Sequence, residues 1–174
     1  MGERSGMERP HDNCYWAEVG QLMAGEYPRT FDLEASREKL SRILDCGVTS
    51  FLDLTAPEDG LQPYTDILPD RQFRHRQMTI RDMDVPPIEQ MTNILGYLGD
   101  ELKAGQCVYV HCWGGIGRTG TVMGCHWVQC GLTGEEALAK IAQHWQVMAK
   151  RRRFPQSPQT QAQRDFVLNW RVVD

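Results

Sequence analysis

Long apolar runs are missing from this chain of 174 residues, so no segment reaches the roughly 20 residues that a membrane-spanning helix needs. The opening stretch Met1-Gly-Glu-Arg-Ser-Gly-Met-Glu-Arg-Pro10 lacks the apolar centre of a secretory signal. Charge of one sign is not in excess either: 19 Lys and Arg against 23 Asp and Glu leave a net −4, which is no electrostatic footprint for non-specific nucleic-acid binding. Cysteine is present six times, at positions 14, 46, 107, 112, 125 and 130, but never as Cys-x-x-Cys, so zinc and dithiol redox motifs are absent. His75, His126 and His144 have no companions at metal-ligand spacing. Free thiols, a cytoplasmic location, no metal and no cofactor are the expectation. Repeats and low-complexity tracts are also lacking. What remains is an ordinary apolar fraction, 41%, enough for one hydrophobic core at this length.

The pattern along the chain alternates strands and helices. Residues 1–13 read as a flexible leader and 14–174 as one domain. Tyr15–Val19 and Leu22–Gly25 read as a hairpin at a sheet edge. Leu33, Leu40, Ile43 and Leu44 recur at helical spacing before Gly47, and Val48–Leu54 follows as a buried strand. Pro57, Gly60, Pro63 and Pro69 mark a surface loop, and Gln72–Ile80 is a further extended stretch. From Pro87, the residues Ile88, Met91, Leu95, Leu98 and Leu102 form one helical stripe ending at Gly105. Cys107–His111 is the short apolar strand of a parallel sheet, and a helical stretch follows to Cys130. Thr133-Gly-Glu-Glu136 opens a helix to about Ala149, and Ser157-Pro158 caps the last one. This order predicts an α/β domain with a central, mostly parallel sheet flanked by helices.

Between the Cys107–His111 strand and its following helix stands Cys112-Trp-Gly-Gly-Ile-Gly-Arg-Thr119. Glycines 114, 115 and 117 let successive N–H groups face one concavity, a nest for an anion. The helix beginning near Arg118 adds its positive N-terminal end, and the guanidinium adds two parallel donors for phosphate oxygens. A cysteine at such a mouth becomes a nucleophile, because the field that draws in phosphate also favours thiolate. The chemistry is attack of Cys112 on phosphorus, a cysteinyl-phosphate intermediate, and hydrolysis. Trp113, Gly114, Gly115, Ile116, Gly117 and Arg118 are the expected phosphate binders. Thr119 is placed to donate to the thiolate. The nucleotide-binding alternative lacks Gly-x-x-x-x-Gly-Lys-Ser/Thr.

His111-Cys-Trp-Gly-Gly-Ile-Gly-Arg-Thr119 resembles the signature loop of the cysteine-dependent protein tyrosine phosphatase superfamily. Its short chain and neutral loop are similar to the dual-specificity branch, and in particular to cyclin-dependent-kinase-associated phosphatases. The lysine-flanked loops of inositol-lipid phosphatases are not matched. The resemblance implies a general acid on a loop, four residues before a helix-opening proline. Asp82 and Pro86 in Thr79-Ile-Arg-Asp-Met-Asp-Val-Pro-Pro87 have that offset, and Asp84 does not. Asp84 remains the competitor, with a helix-capping role as its alternative. The resemblance also implies a water-orienting glutamine within Gln159-Thr-Gln-Ala-Gln-Arg-Asp-Phe166: Gln159 first, Gln163 second. It gives His111 a supporting role for the loop.

The expected substrate is a phosphorylated protein or peptide carrying phosphotyrosine or phosphoserine/threonine, turned over by a monomer without nucleic-acid or membrane partners. The alternatives are an inositol phosphate or RNA 5′-phosphate as substrate, or a catalytically weak phosphopeptide-binding module. Trp113 and Tyr64 are candidates for the pocket rim, and Asp53 for a contact to the active-site region. Lys150-Arg-Arg-Arg153 reads as a charge run favoured at a helix end.

Overall fold

Strand β5 (Val108–His111) is buried along its whole length and lies at the centre of a five-stranded sheet. The computed structural model describes residues 8–172. Strands β1 (Cys14–Glu18), β2 (Leu22–Gly25), β3 (Ser50–Asp53), β4 (Arg74–Gln77) and β5 run in the order β1-β2-β5-β3-β4. The β1–β2 hairpin is antiparallel and forms one edge; the other three pairings are parallel. This is the mostly parallel sheet anticipated from the alternation of strand and helix patterns.

The period of two along the strands assigns side chains to two cores. Val108 and Val110, with Leu22, Ala24 and Leu52, face helices α2 (Ile88–Lys103), α3 (Arg118–Gln129), α4 (Gly134–Trp145) and α5 (Gln161–Asn169). Tyr109, Phe51 and Met23 face the other way, onto Leu40, Ile43 and Leu44 of helix α1 (Leu33–Asp45) and onto Tyr64 and Ile67 of the loop between β3 and β4. Helix α3 is buried from Arg118 through Val128. Its small residues allow this, since a side chain at Gly124 would run into Val167 of α5.

Several local expectations are corrected. In α2, Ile88 is 62% exposed and Ile94 takes its place in the core, because the apolar face is centred on Met91, Ile94, Leu95 and Leu98. Helix α4 ends at Trp145, so Lys150–Arg153 does not finish it; Ala149–Arg152 forms a separate 3-10 turn. The cap of α5 is Thr160, whose hydroxyl accepts from Gln163 N while the Gln163 side chain accepts from Thr160 N. Ser157-Pro158 lies upstream of that cap. All four residues of β4 are exposed, which fits an edge strand.

Of the leader expected over residues 1–13, positions 1–7 lie outside the described residues. Glu8–Asn13 are bound to the domain. Trp16 Nε1 donates to Glu8 O at 3.1 Å, Arg9 to Cys14 O at 3.1 Å, and Ala149 N to Asp12 O at 3.0 Å. His11 Nε2 lies 3.0 Å from the Tyr109 hydroxyl. Among the described residues no helix is long and apolar enough to cross a membrane.

Candidate active site

Register brings Gly25 of β2, His111 of β5 and Asp53 of β3 side by side at the C-terminal ends of parallel strands, where open α/β sheets place their ligands. The chain leaves β5 there, makes the loop 112–117 and enters α3 at Arg118.

The loop is shaped by what holds its carbonyls. In a trans peptide the C=O and the next N–H point in opposite directions, so a carbonyl fastened on the outside turns the following N–H inward. Cys112 O meets His111 Nδ1 at 3.1 Å, and Trp113 O accepts from Tyr27 N at 2.9 Å. Gly114 O accepts from Lys150 Nζ at 2.9 Å, and Ile116 O from the Ser157 hydroxyl at 2.6 Å. These four fastenings direct the N–H groups of residues 113, 114, 115 and 117 into the concavity. One of them has found its target: Gly115 N donates to Cys112 Sγ at 3.2 Å.

Gly115 has φ +73°, and a Cβ there would sit 2.6–2.8 Å from the backbone of Gly25 and Glu26. The loop therefore closes directly on the end of β2. Residues 115–120 also satisfy the spacing Gly-x-Gly-x-x-Gly, so that motif cannot be used to set nucleotide loops aside. Packing within this domain accounts for its glycines: Gly115 abuts β2, Gly117 abuts the Gln163 amide, and Gly120 abuts Ser157.

His111 is fully buried, and burial lowers its pKa from 6.5 to about 4, so the ring is neutral at pH 7. A neutral ring donating from Nδ1 to Cys112 O accepts at Nε2, where the Tyr64 hydroxyl lies 2.6 Å away. Tyr64 is thus buried behind the loop and does not line the rim. Asp53 accepts from Thr55 N at 2.9 Å, lies 3.0 Å from His75 Nε2, and stands 3.9 Å from His111 Nδ1. It fastens its own loop and stands beside the buried His111, beyond hydrogen-bond reach.

These histidines set an acid limit to stability. Burial also lowers His11, from 6.5 to about 3. Because both folded values lie below the unfolded one, the unfolded chain binds the extra protons. Stability is then complete above pH 6.5 and falls as pH drops through that value toward the folded pKa. Between pH 7 and pH 5 each histidine is worth up to about 2 kcal/mol. The urea midpoint is expected to fall markedly from pH 7.5 to pH 5; an unchanged midpoint would contradict this.

Arg118 is 1% exposed; both terminal nitrogens have partners, while its buried Nε has none among the described residues. Nη1 lies 2.7 Å from Asp59 Oδ2 and 3.0 Å from Ile80 O, and Nη2 lies 3.2 Å from Asp82 Oδ1. Asp59 escapes sequence reading because it sits among loop-forming prolines and glycines. Its other tie, from Ala56 N at 3.0 Å, belongs to a 3-10 turn spanning Pro57–Asp59 that local pattern does not distinguish from open loop.

The two competing aspartates are separated by geometry. Met83 adopts φ 64° in a turn closed by Asp84 N to Arg81 O at 3.1 Å, which sends the flanking side chains to different places. Asp82, half exposed, reaches Arg118; Asp84 instead accepts from its neighbour Val85 N at 2.8 Å. Such a strained non-glycine residue is the kind found in functional loops.

Gln163 is fully buried with its amide against Gly117, and it receives Gln159 N at 3.1 Å. Of the two glutamines, Gln163 lies against the loop with its amide committed to the backbone of Gln159, Thr160 and Asp84, and Gln159 reaches it through its backbone N–H. Thr119 Oγ1 is buried and finds no hydrogen-bond partner among the described residues, so the contact to the Cys112 thiolate expected of it is not made. Trp113 is 50% exposed, at the rim. Burial pushes Cys14 up to about 12 and Cys107 up to about 11, and also raises Cys125, so these behave as core thiols.

Comparison with solved structures finds the same fold. Tk-PTP in its active form matches with a TM-score of 0.66 at 24% identity, over 87% of this chain and 93% of that one. Kinase associated phosphatase (KAP), with its catalytic-site cysteine changed to serine, gives 0.70 at 17%, over 84% and 83%. PTPMT1 in complex with PI(5)P gives 0.64 at 17%, over 87% and 90%. Residues 11–167 match the family described as PTP-SAK: Swiss Army Knife protein, DSP-PTPase phosphatase domain. With the Cys-x5-Arg loop folded on the end of β5, the chain belongs to this family of cysteine-dependent phosphatases.

Proposed function

We propose that the protein hydrolyses phosphotyrosine and phosphoserine/threonine in protein substrates through a cysteinyl-phosphate intermediate. The observation that carries this reading is the Cys112–Arg118 loop itself, with Gly115 N donating to Cys112 Sγ and Arg118 at its far end paired with Asp82 of the 79–87 loop. In the first step the Cys112 thiolate attacks phosphorus and the bond to the leaving oxygen breaks, while Asp82 gives that oxygen its proton. Arg118 turns from Asp82 to two phosphoryl oxygens, and the loop N–H groups hold the charge that develops. In the second step Asp82 takes a proton from water, the oxygen attacks phosphorus and the S–P bond breaks, returning the thiolate.

A protein substrate is favoured by the surface beside the nest. Tyr27, Phe31, Leu61 and Trp113 line a groove of about 310 Å³ next to Asp59, apolar enough for side chains flanking the phosphorylated residue. A phosphoinositide substrate is the second reading, supported by the fold shared with PTPMT1.

The test is turnover of phosphotyrosine and phosphothreonine peptides and of PI(5)P, with EDTA present, by wild type, Asp82→Ala and Asp84→Ala. Peptide turnover that drops about 10²–10⁴-fold in Asp82→Ala and little in Asp84→Ala is expected. Turnover of PI(5)P alone would replace the protein reading by the lipid one. Folded protein that binds the peptides but turns over nothing would leave a binding module. A larger loss in Asp84→Ala would reassign the acid.

A further inference from the structure

Residues 112–118 hold no lysine, yet an ammonium group stands at the loop. Lys150, in the 3-10 turn beyond α4, is half-buried and donates to Gly114 O at 2.9 Å. Its position is set from both ends. The backbone is tied down by Lys150 N to Asn13 Oδ1 at 3.0 Å, and Nζ lies 2.5 Å from Glu26 Oε2. The second oxygen of Glu26 holds Lys39 at 2.6 Å, so the carboxylate cannot turn away. Burial pushes the Glu26 carboxyl up, but Lys39 and Lys150 outweigh it and hold it below the ordinary value.

The carbonyl that Lys150 grips belongs to the same peptide unit as the N–H that donates to Cys112 Sγ. Rotation of that unit by half a turn would withdraw the donor and point a carbonyl at the thiolate. Gly114 and Gly115 have no Cβ to resist such a rotation, so restraint must come from outside. Resting on the phosphatase reading of this nest, we propose that Lys150 is a positioning residue that fixes the Gly114–Gly115 peptide with its N–H facing the nucleophile and the transferred phosphoryl group. A charged donor suits this task, because a charge-assisted hydrogen bond is roughly twice as strong as a neutral one. The same pull also polarises the N–H on the opposite side of the peptide.

The test compares Lys150→Met, Lys150→Gln and Lys150→Arg with wild type, and uses Arg152→Met as a control that removes a neighbouring surface charge. The readouts are kcat and KM on para-nitrophenyl phosphate, tungstate affinity by calorimetry, and the melting temperature. Loss of one donor from an oxyanion site predicts a fall in kcat of about 10²-fold for Lys150→Met, with weakened tungstate binding. Lys150→Arg should recover most of it, and Arg152→Met should stay near wild type. Lys150→Met within about twofold of wild type overturns the proposal, as does an equal loss in Arg152→Met, which would mean that only the field of the charge matters. If Lys150→Met does not fold, Lys150→Arg against Lys150→Gln decides: similar activity overturns the proposal, and a large advantage for Arg supports it. An inert wild type would sink the phosphatase reading, while tungstate affinity across the same variants would still judge the role of Lys150.

Discussion

Cys112→Ser is expected to lose roughly 10⁴-fold or more of turnover on any phosphoester the wild type accepts. The substitution changes one atom in a site that is otherwise complete. A serine hydroxyl is a far weaker nucleophile than the sulfur it replaces, and no neighbour is placed to take its proton: His111 donates to the loop carbonyl and accepts from Tyr64. Binding should survive, because the inward N–H groups and Arg118 are held by contacts that do not involve sulfur. Only the Gly115 N contact changes partner. The check combines steady-state kinetics with tungstate affinity, and a rapid acid quench of wild type with labelled substrate to trap phosphate on Cys112. Serine variant turnover within about tenfold of wild type would remove Cys112 as nucleophile.

Arg118→Lys is expected to cost about 10²–10³-fold in kcat although the charge is kept. The guanidinium forks toward Asp59 and Ile80 O with one nitrogen and toward Asp82 with the other, a geometry a single ammonium cannot reproduce. In the proposed mechanism the Nη2 arm exchanges Asp82 for phosphoryl oxygens while Asp59 keeps the plane of the group fixed. Lysine would stay bound to the buried Asp59 and fail to span the distance. Asp59→Asn is the companion variant: it keeps a hydrogen-bonding side chain but removes the anchoring charge, and should cost less than Arg118→Lys. Equal activity of Arg118→Lys and wild type, measured as kcat/KM on para-nitrophenyl phosphate, would show that charge alone suffices at this position.

The chemistry was legible where it is local. A buried strand, three glycines and a helix start within a dozen residues imply an anion nest wherever they occur, and Cys112 and Arg118 belong to that short segment. Asp82 is pointed to only by what the resemblance implies about its offset to Pro86, and what the fold adds is a left-handed turn at Met83 beside which Asp82, and not Asp84, reaches Arg118. The glutamines show where local reading stops: Gln159 and Gln163 fall in one polar helix start, and only the packing of α5 on Gly117 shows that Gln163 is buried against the loop.

By itself, then, the sequence determined the α/β alternation, the loop between β5 and α3, its nucleophile and its arginine, because each depends on periodicity or on neighbours a few positions apart. Tertiary structure alone decided what holds the loop in its working shape. Asp59 meets Arg118 across 59 positions, Tyr64 meets His111 across 47, Ser157 meets Ile116 across 41 and Lys150 meets Gly114 across 36. None of these pairs carries a local signal, since each partner satisfies an ordinary propensity where it stands: a turn aspartate, a loop tyrosine, a serine before proline, a surface lysine. They become a site only when the sheet closes and the backbone groups of a glycine-rich loop, buried away from water, must find partners from whatever chain lies beside them.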